Sequence, residues 1–304
     1  MQLVSYEVEG CHEIGVLLVD QIVSLSLAQA QSAVLPEEPM SAHQPMIDLI
    51  RHWSVNREWV ESVAAQREPD WRLDEVRLQA PVPRPGKVLA IGLNYLEHVQ
   101  EQIVGESRTV PEHQIWFTKL GNAINGPYDP ILLPTVSQMT DYEGEMVAII
   151  GQRCKHVPRD HAHEVVFGYA VGNDVSVRDW QKRTSQWTLG KSFDTHAPFG
   201  PCLTTADEVG DPHALNLRCW VNGELRQSSN TRLMMHNVWD QIALISQAMT
   251  LEPGDVIFTG TCSGVGAAFN PPRFLRDGDV VRVEIDKLGH IEARCQQEAA
   301  TSWG

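Results

Sequence analysis

Short apolar runs separated by glycine, proline and polar residues recur along this chain, and most of them have the length of a β-strand. The clearest runs cover residues 14–19, 88–91, 141–151 and 165–171. Apolar runs of this length that are bounded by turn-forming residues are typical of strands. The pattern therefore predicts a chain that is mostly β-structure.

Helical spacing of apolar residues is confined to a few segments. It predicts one helix over residues 47–65 and another over residues 237–248. A third helix is expected to begin at Tyr95, because Asn94 directly before it is a good N-cap residue. Strands with a minority of helices predict a β-rich α+β fold.

A proline-rich stretch divides the chain. Residues 80–86 read Ala-Pro-Val-Pro-Arg-Pro-Gly, which is typical of a linker. We therefore predict a small N-terminal α+β domain over residues 1–80 and a larger domain over residues 81–304. A chain of 304 residues is long enough for both.

Composition narrows the possible partners. Hydrophobic residues make up 42% and charged residues 21%, as in globular proteins, and the net charge of -15 disfavours a nucleic acid. No window has the 18 or so apolar residues of a membrane span, and the first residues show no targeting segment. The six cysteines are scattered without a CxxC pair, which disfavours zinc and disulfides. A cytoplasmic location is expected.

Two acidic residues at the start of the run over 141–151 bring in candidate chemistry. Glu143 and Glu145 are one residue apart, so a strand places both carboxylates on one face. At about 4 Å they repel by about 4 kcal/mol at an effective dielectric of about 20. A divalent cation with oxygen ligands would relieve this repulsion, as would a proton on one carboxylate. A solvated strand end is the simpler alternative.

A third acidic residue follows the next apolar run. Asp174 lies where the strand over 165–171 gives way to Ser176-Val177-Arg178-Asp179, a sequence typical of a capping box that begins a helix. Functional side chains are often placed at such junctions. The alternative is a turn aspartate that hydrogen-bonds to its own backbone.

A histidine and a glutamate lie three residues apart in the helix expected after Asn94. His98 and Glu101 would share one face of that helix. A carboxylate beside an imidazole selects the tautomer and raises the basicity of the ring, which suits a general base acting on water. An ordinary surface pair is the alternative.

Together these motifs make the chain resemble the fumarylacetoacetate hydrolase family, from about Lys87 to about Cys295. The motifs that carry the resemblance, in chain order, are Gly92-Leu93-Asn94-Tyr95 with His98 and Glu101, Phe117-Thr118-Lys119, Asn125-Gly126-Pro127, Glu143-Gly144-Glu145, Gly172-Asn173-Asp174-Val175-Ser176, Gly190-Lys191-Ser192-Phe193-Asp194, Pro253-Gly254-Asp255 and Thr259-Gly260-Thr261. The resemblance implies a mixed β-roll with a small N-terminal domain, a homodimer and a small keto-acid substrate.

The resemblance also implies roles for individual residues. Those matching Glu143, Glu145 and Asp174 bind Mg²⁺, Mn²⁺ or Ca²⁺ in that family. His98 and Glu101 match the pair that activates water, and Lys191 matches a lysine that stabilises negative charge on the substrate. Gln181 and Thr261 match positions that contact substrate. A segment equivalent to residues 96–114 closes over bound substrate in relatives, so we expect a lid there.

Two further features have more than one interpretation. The glycine-rich loop over residues 260–266 lacks the spacing of a dinucleotide-binding motif, so we expect either close approach to a small ligand or a tight turn. Trp180 and Trp187 would line the site or pack in the core.

The expected reaction is metal-dependent hydrolysis of a carbon–carbon bond in a 2,4-dioxo acid, such as an acylpyruvate, a fumarylpyruvate or a diketo-deoxy sugar acid. The alternative is oxaloacetate decarboxylation or keto–enol isomerisation on the same scaffold. Decarboxylating relatives tend to carry arginine where this chain has Leu93, which favours hydrolysis. A protein that binds a metal without catalysis is a third alternative, disfavoured by His98, Glu101 and Lys191.

Overall fold

Strands predominate in the computed structural model, which describes residues 1–31, 34–101 and 109–299. The strands of these ranges are β1 (Gln2–Val8), β2 (Cys11–Leu18), β3 (Gln21–Ser24), β4 (Trp71–Arg72), β5 (Arg77–Leu78), β6 (Val88–Gly92), β7 (Ile115–Thr118), β8 (Ile124–Asn125), β9 (Ile131–Leu133), β10 (Thr140–Asp141), β11 (Gly144–Ile150), β12 (Val166–Asn173), β13 (Ser176–Val177), β14 (Ala197–Thr205), β15 (Asn216–Val221), β16 (Glu224–Asn230), β17 (Val256–Phe258), β18 (Val280–Ile285) and β19 (Gly289–Gln297).

Most helices are short. The α-helices of the described ranges are α1 (Leu25–Gln31), α2 (Pro45–Arg51), α3 (Trp53–Gln66), α4 (Leu96–Val99), α5 (Arg178–Gln181), α6 (Thr188–Lys191), α7 (Ala206–Val209) and α8 (Val238–Ala248). None of these helices is long and apolar enough to cross a membrane.

Two large sheets organise the strands. Ten strands of the 12-stranded sheet follow the order β4-β3-β2-β1-β14-β12-β11-β17-β6-β7, and the five-stranded sheet has the order β16-β15-β18-β19-β9. The strands β10 and β13 form a separate pair. The expectation of a β-rich α+β fold with mixed pairing is confirmed, and in the described ranges the sheets are open rather than closed.

The run with the two glutamates becomes the central strand β11, which is buried along its whole length. Val147 and Ile149 pack into one apolar cluster, whereas Met146 and Ala148 pack into another on the opposite side. A strand that is covered on both faces is a continuous apolar run, as observed here. The site at its start is therefore built on a rigid part of the fold.

The N-terminal residues share a sheet and a core with the rest of the chain. Strand β1 pairs antiparallel with β14, with Leu3 opposite Leu203. Leu3 packs in the same apolar cluster as Val82, which lies in the stretch that the sequence marks as a linker and is fully buried. The division of the chain into domains at residue 80 remains a prediction.

The structure changes the extent of one predicted helix and the cap of another. The helix expected over residues 47–65 is two helices, because the chain bends at His52 between α2 and α3. Asn94 does not cap α4: its side chain donates to the carbonyls of His236 and Thr259, and Tyr95 takes the cap position without a side-chain bond. By contrast, α8 has the predicted extent.

The capping box expected at Ser176 is also absent. Ser176 lies in β13, where it is opposite Asp141, and its hydroxyl donates to the backbone carbonyl of Asp174. The helix α5 begins later, with Val177 as a cap residue that makes no side-chain bond. Strand pairing across residues distant in sequence thus replaces the local cap.

Candidate active site

The three acidic residues meet because β11 and β12 are antiparallel neighbours. Gly144 pairs with Asn173, so the start of β11 lies beside the end of β12. The amide of Asp174 donates to the carbonyl of Glu143 at 2.8 Å. One carboxylate oxygen from each of Glu143, Glu145 and Asp174 lies within 4.8 Å of the others, and all three side chains are buried. The solvated strand end is therefore not what the structure shows.

Three buried cations neutralise this acidic cluster. Lys191 Nζ donates to Glu143 Oε2 at 2.7 Å and to Asp174 Oδ2 at 2.6 Å. Lys119 Nζ donates to Asp174 Oδ1 at 2.5 Å. Arg178 Nη1 lies 2.7 Å from Glu143 Oε1. Lys119 and Arg178 were missed as site residues, although the Phe117-Thr118-Lys119 motif was a signal for the first.

The two glutamates have opposite shifts in pKa. Burial raises the pKa of Glu145 well above its usual range, and the carboxylates of Asp174 and Glu143 add to the effect. Burial would also raise the pKa of Glu143, but the charges of Lys191 and Arg178 outweigh it and lower this pKa. A bound cation would favour the charged form of Glu145.

The donor set fits a hard divalent ion. All three groups are carboxylates, and oxygen ligands of this kind suit Mg²⁺, Mn²⁺ and Ca²⁺. Neighbouring cations keep Glu143 ionised, as a ligand must be. Mg²⁺ and Mn²⁺ are the expected ions, with Ca²⁺ as an alternative.

His98 and Glu101 form a pair beside the acidic cluster. His98 Nδ1 and Glu101 Oε2 are 2.5 Å apart, and the His98 side chain is buried. An ionised carboxylate only accepts hydrogen bonds, so Nδ1 carries the proton and Nε2 is left as a base. Burial separates this pair from ordinary surface pairs.

The glycine-rich loop holds carboxylates of the protein itself. The amide of Gly260 donates to Glu145 Oε2 at 2.7 Å, and the amide of Gly264 donates to Glu101 Oε1. Gly260 has φ of +97°, and a Cβ there would lie 2.6 Å from that of Asn94. The backbone must therefore come close, which requires glycine. The loop therefore contacts carboxylates of the protein, while its Thr261 lines a cavity, so the approach to a small ligand remains a prediction.

A cavity of about 310 Å³ opens above these groups. Its lining includes His98, Glu143, Glu145, Lys191, Gln181 and Thr261. Asp174 and Glu101 are not in the lining, but each contacts a residue that is: Asp174 accepts a bond from Lys191, and Glu101 pairs with His98. Six of the eight predicted site residues thus reach one cavity.

Gln181, Thr261 and the two tryptophans make different contacts. Gln181 Oε1 accepts a bond from Arg178, whereas the Thr261 hydroxyl donates to the carbonyl of Gly144. Trp187 lines the cavity, but Trp180 packs against a phenylalanine, with its ring centroid 5.2 Å from that of Phe193. The middle of the predicted lid, residues 102–108, lies outside the described residues.

A family model and a curated relative identify the family of this chain. A family model described as fumarylacetoacetate (FAA) hydrolase C-terminal matches residues 87–296. Oxaloacetate tautomerase Fahd2a, mitochondrial, from Rattus norvegicus is 49% identical over 218 residues, which are 71% of this chain and 68% of the relative.

Two solved structures extend the likeness over nearly the whole chain. One is a maleylpyruvate hydrolase from Sphingobium sp. SYK-6 in complex with manganese (II) ion and pyruvate, with TM-score 0.81 and 34% identity, covering 98% of this chain and 100% of that one. The other is a 5-carboxymethyl-2-hydroxymuconate delta-isomerase from Mycobacterium smegmatis, with TM-score 0.74 and 31% identity, covering 98% and 100%.

These relatives change the balance between the expected reactions. The curated relative is a tautomerase, and one structural neighbour is an isomerase, so the comparisons favour the isomerisation alternative over hydrolysis. The name of the rat protein places it in mitochondria, so the cytoplasmic location is not supported by that relative. Members of this family are enzymes that act on small keto acids. The chain belongs to the fumarylacetoacetate hydrolase family.

Proposed function

We propose that this protein is a keto–enol tautomerase that acts on a small 2-keto dicarboxylic acid such as oxaloacetate, with Mg²⁺ or Mn²⁺. The observation that carries the proposal is that His98, which is paired with Glu101, lines the same cavity as Glu143, Glu145 and the buried Lys191. His98 offers a base, and Lys191 offers a positive charge for a substrate oxygen. The tautomerase relative supports this reaction over others.

The charges of the site suit an anionic substrate. Five carboxylates, those of Glu101, Asp141, Glu143, Glu145 and Asp174, share this region with Lys119, Lys191 and Arg178, which leaves two net negative charges when all five are ionised. A divalent cation held by Glu143, Glu145 and Asp174 would polarise the keto oxygen of a bound substrate and acidify the adjacent C–H bond. A bound divalent ion would cancel this negative charge, so an anionic keto acid would no longer be repelled.

Tautomerisation needs one proton to leave and another to arrive. In the ketonisation direction, the enol oxygen loses its proton and the neighbouring carbon gains one, so no water is consumed. His98 Nε2 can carry this proton, while Glu101 holds Nδ1 and stabilises the charged ring. Lys191 stabilises the negative charge that develops on the substrate oxygen.

Hydrolysis of a 2,4-dioxo acid is the second candidate. The same His98–Glu101 pair could take a proton from water rather than from carbon, and the manganese-bound structural neighbour is a maleylpyruvate hydrolase. Leu93 lines the cavity where decarboxylating relatives tend to have arginine, so the site offers less to decarboxylation. The two candidates differ in whether a carbon–carbon bond is broken.

An enol-absorbance assay separates these reactions. Enol oxaloacetate is mixed with metal-loaded protein, and the loss of absorbance is compared with the spontaneous rate while products are identified by chromatography. We expect ketonisation faster than the spontaneous rate, without release of a smaller acid. We expect His98→Gln to lose this acceleration. Glu58→Gln is the control, because Glu58 is an exposed carboxylate on α3 and is not in the cavity lining. Release of two acids from acylpyruvates, with no effect on enol oxaloacetate, would favour hydrolysis instead.

A further inference from the structure

Asp141 is a fully buried carboxylate beside the site, outside the cavity and without a part in the proton transfer. Its Oδ1 accepts bonds from the amides of Gly266 at 2.7 Å and Tyr142 at 3.0 Å. Its Oδ2 accepts from the amide of Ala267 at 2.9 Å and from Arg178 Nε at 2.9 Å. Both oxygens are thus held in position by backbone and by a guanidinium.

Arg178 joins Asp141 to the site. Its Nε donates to Asp141, and its Nη2 lies 2.9 Å from the same oxygen. On the other side of the group, Nη1 lies 2.7 Å from Glu143 Oε1 and donates to Gln181 Oε1 at 3.1 Å. A guanidinium is planar and cannot rotate its donors independently, so fixing one edge aims the other.

We propose that Asp141 is a positioning residue, which fixes the guanidinium of Arg178. Through Arg178, Asp141 sets the orientation of Glu143 and Gln181. It thereby sets the strength with which Glu143 holds a divalent cation. The anchor is the end of the glycine-rich loop and the alanine after it, because the amides of Gly266 and Ala267 hold Asp141. The proposal rests on the proposed function only through the metal-binding role given to Glu143.

The sharing of the Arg178 charge between two carboxylates determines whether the loss of Asp141 strengthens or weakens metal binding. Arg178 now divides its positive charge between Asp141 and Glu143. When the charge of Asp141 is removed, the guanidinium binds Glu143 alone and competes with a metal ion for its oxygen. Loss of a group that orients a metal-binding carboxylate typically weakens metal affinity by about 10–100-fold. We expect the lower end of this range, since Glu145 and Asp174 are unchanged.

The test is a calorimetric titration of the full chain with Mn²⁺, which needs no substrate. We expect Asp141→Asn to raise the Kd for Mn²⁺ about tenfold. Asp255→Asn is the matched control, because Asp255 is also fully buried and ion-paired, 2.7 Å from Lys87 Nζ, and belongs to neither the cavity lining nor the acidic cluster. Its Kd for Mn²⁺ should equal that of the wild type.

A second variant covers the case in which Asp141→Asn does not fold. Gly266→Ala leaves every charge in place, but its Cβ would clash with the carbonyl oxygen of Arg273 and lie 2.5 Å from Asp141 Oδ1, so the loop amide that holds the carboxylate must shift. It should raise the Kd for Mn²⁺ in the same direction, whereas Gly121→Ala, with open space around its Cβ, should not.

The outcomes separate this proposal from the proposed function. Wild-type Kd for Mn²⁺ in both Asp141→Asn and Gly266→Ala would overturn the positioning role, as would a wild-type chain that binds no Mn²⁺. A wild-type chain that binds Mn²⁺ but does not ketonise oxaloacetate would overturn the tautomerase proposal, and the comparison of Kd values would still decide the role of Asp141.

Discussion

The buried charges of the acidic cluster are paired with side chains that are distant in sequence. Lys191 shares its ammonium between Glu143 and Asp174, and Lys119 holds the other oxygen of Asp174. Burial of unpaired charges is costly, so these pairs are needed for the fold as well as for chemistry. A single substitution here therefore changes metal affinity and charge balance together.

Glu143→Gln should weaken metal binding and activity together. The change removes one of three carboxylate oxygens and leaves Lys191 and Arg178 with less opposing charge, so both repel a metal ion more strongly. We expect at least about a tenfold rise in the Kd for Mn²⁺, measured by calorimetry. Full activity of the variant in chelator-treated buffer would show that the acidic cluster does not bind the catalytic metal.

His98 and Glu101 should act as a unit. His98→Ala and Glu101→Ala are each expected to reduce kcat strongly, and the double variant should be little worse than the worse single one, because both remove the same base. The Kd for Mn²⁺ should change little in all three.

A surface pair of the same spacing provides the control. His161 Nδ1 lies 2.8 Å from Glu164 Oε1, but both side chains are exposed. Alanine at both positions should leave kcat unchanged. Losses at His98 and Glu101 that multiply in the double variant would indicate two separate roles.

At the scale of elements, one loop links the parts of the site. The loop over residues 260–266 and the alanine after it hold Glu145, Glu101 and Asp141 through backbone amides. Its glycines were visible in the sequence, but what they approach depends on how β11, α4 and β10 come together. The sequence therefore predicted a close approach without identifying its partner.

Gly260→Ala should destabilise the protein by more than the backbone strain of a positive φ alone. Gly260 and Gly223 both have positive φ, +97° and +77°, but a Cβ at 223 meets nothing within 4 Å, whereas one at 260 would lie 2.6 Å from Asn94 Cβ. Gly223→Ala should reduce the free energy of unfolding by about 1–2 kcal/mol. Gly260→Ala should lose about 1–3 kcal/mol more and should also impair Mn²⁺ binding.

Denaturant unfolding and Mn²⁺ titration measure both effects. Equal losses of unfolding free energy in Gly260→Ala and Gly223→Ala, with unchanged Mn²⁺ affinity, would contradict the role given to the loop.

At the scale of the whole molecule, the N-terminal strands complete the sheet that carries the site. A chain of residues 81–304 would lose β1, exposing the edge of β14 and the apolar contacts of Leu203. We expect this truncated chain to aggregate or to unfold without a cooperative transition. Cooperative thermal unfolding of a soluble fragment would instead support two independently folding domains divided at residue 80.

The homodimer also belongs to this scale and remains a prediction from the family resemblance. Light scattering at micromolar protein concentration should give twice the mass of the 34.0 kDa chain. A monomeric mass would contradict it.

The sequence by itself determined the elements whose signals are local. Apolar patterning located β11, β12 and α8. The spacing of Glu143 and Glu145 predicted a metal site only together with Asp174 and the His98–Glu101 pair. Predictions from local sequence were wrong where a residue distant in sequence forms hydrogen bonds with the same backbone or side-chain groups. Ser176 was expected to cap a helix but lies in a strand paired with β10.

Only the tertiary structure decided which charges are paired. Lys119, Arg178 and Asp141 lie far apart in the chain from one or more of the groups that they contact, and nothing in their local sequence states those contacts. Sheet pairing brings them together, and each charge then needs a partner, because a buried charge has lost its contact with bulk solvent. Chain pattern thus predicted the acidic residues, whereas the balance of charge around them follows from the fold.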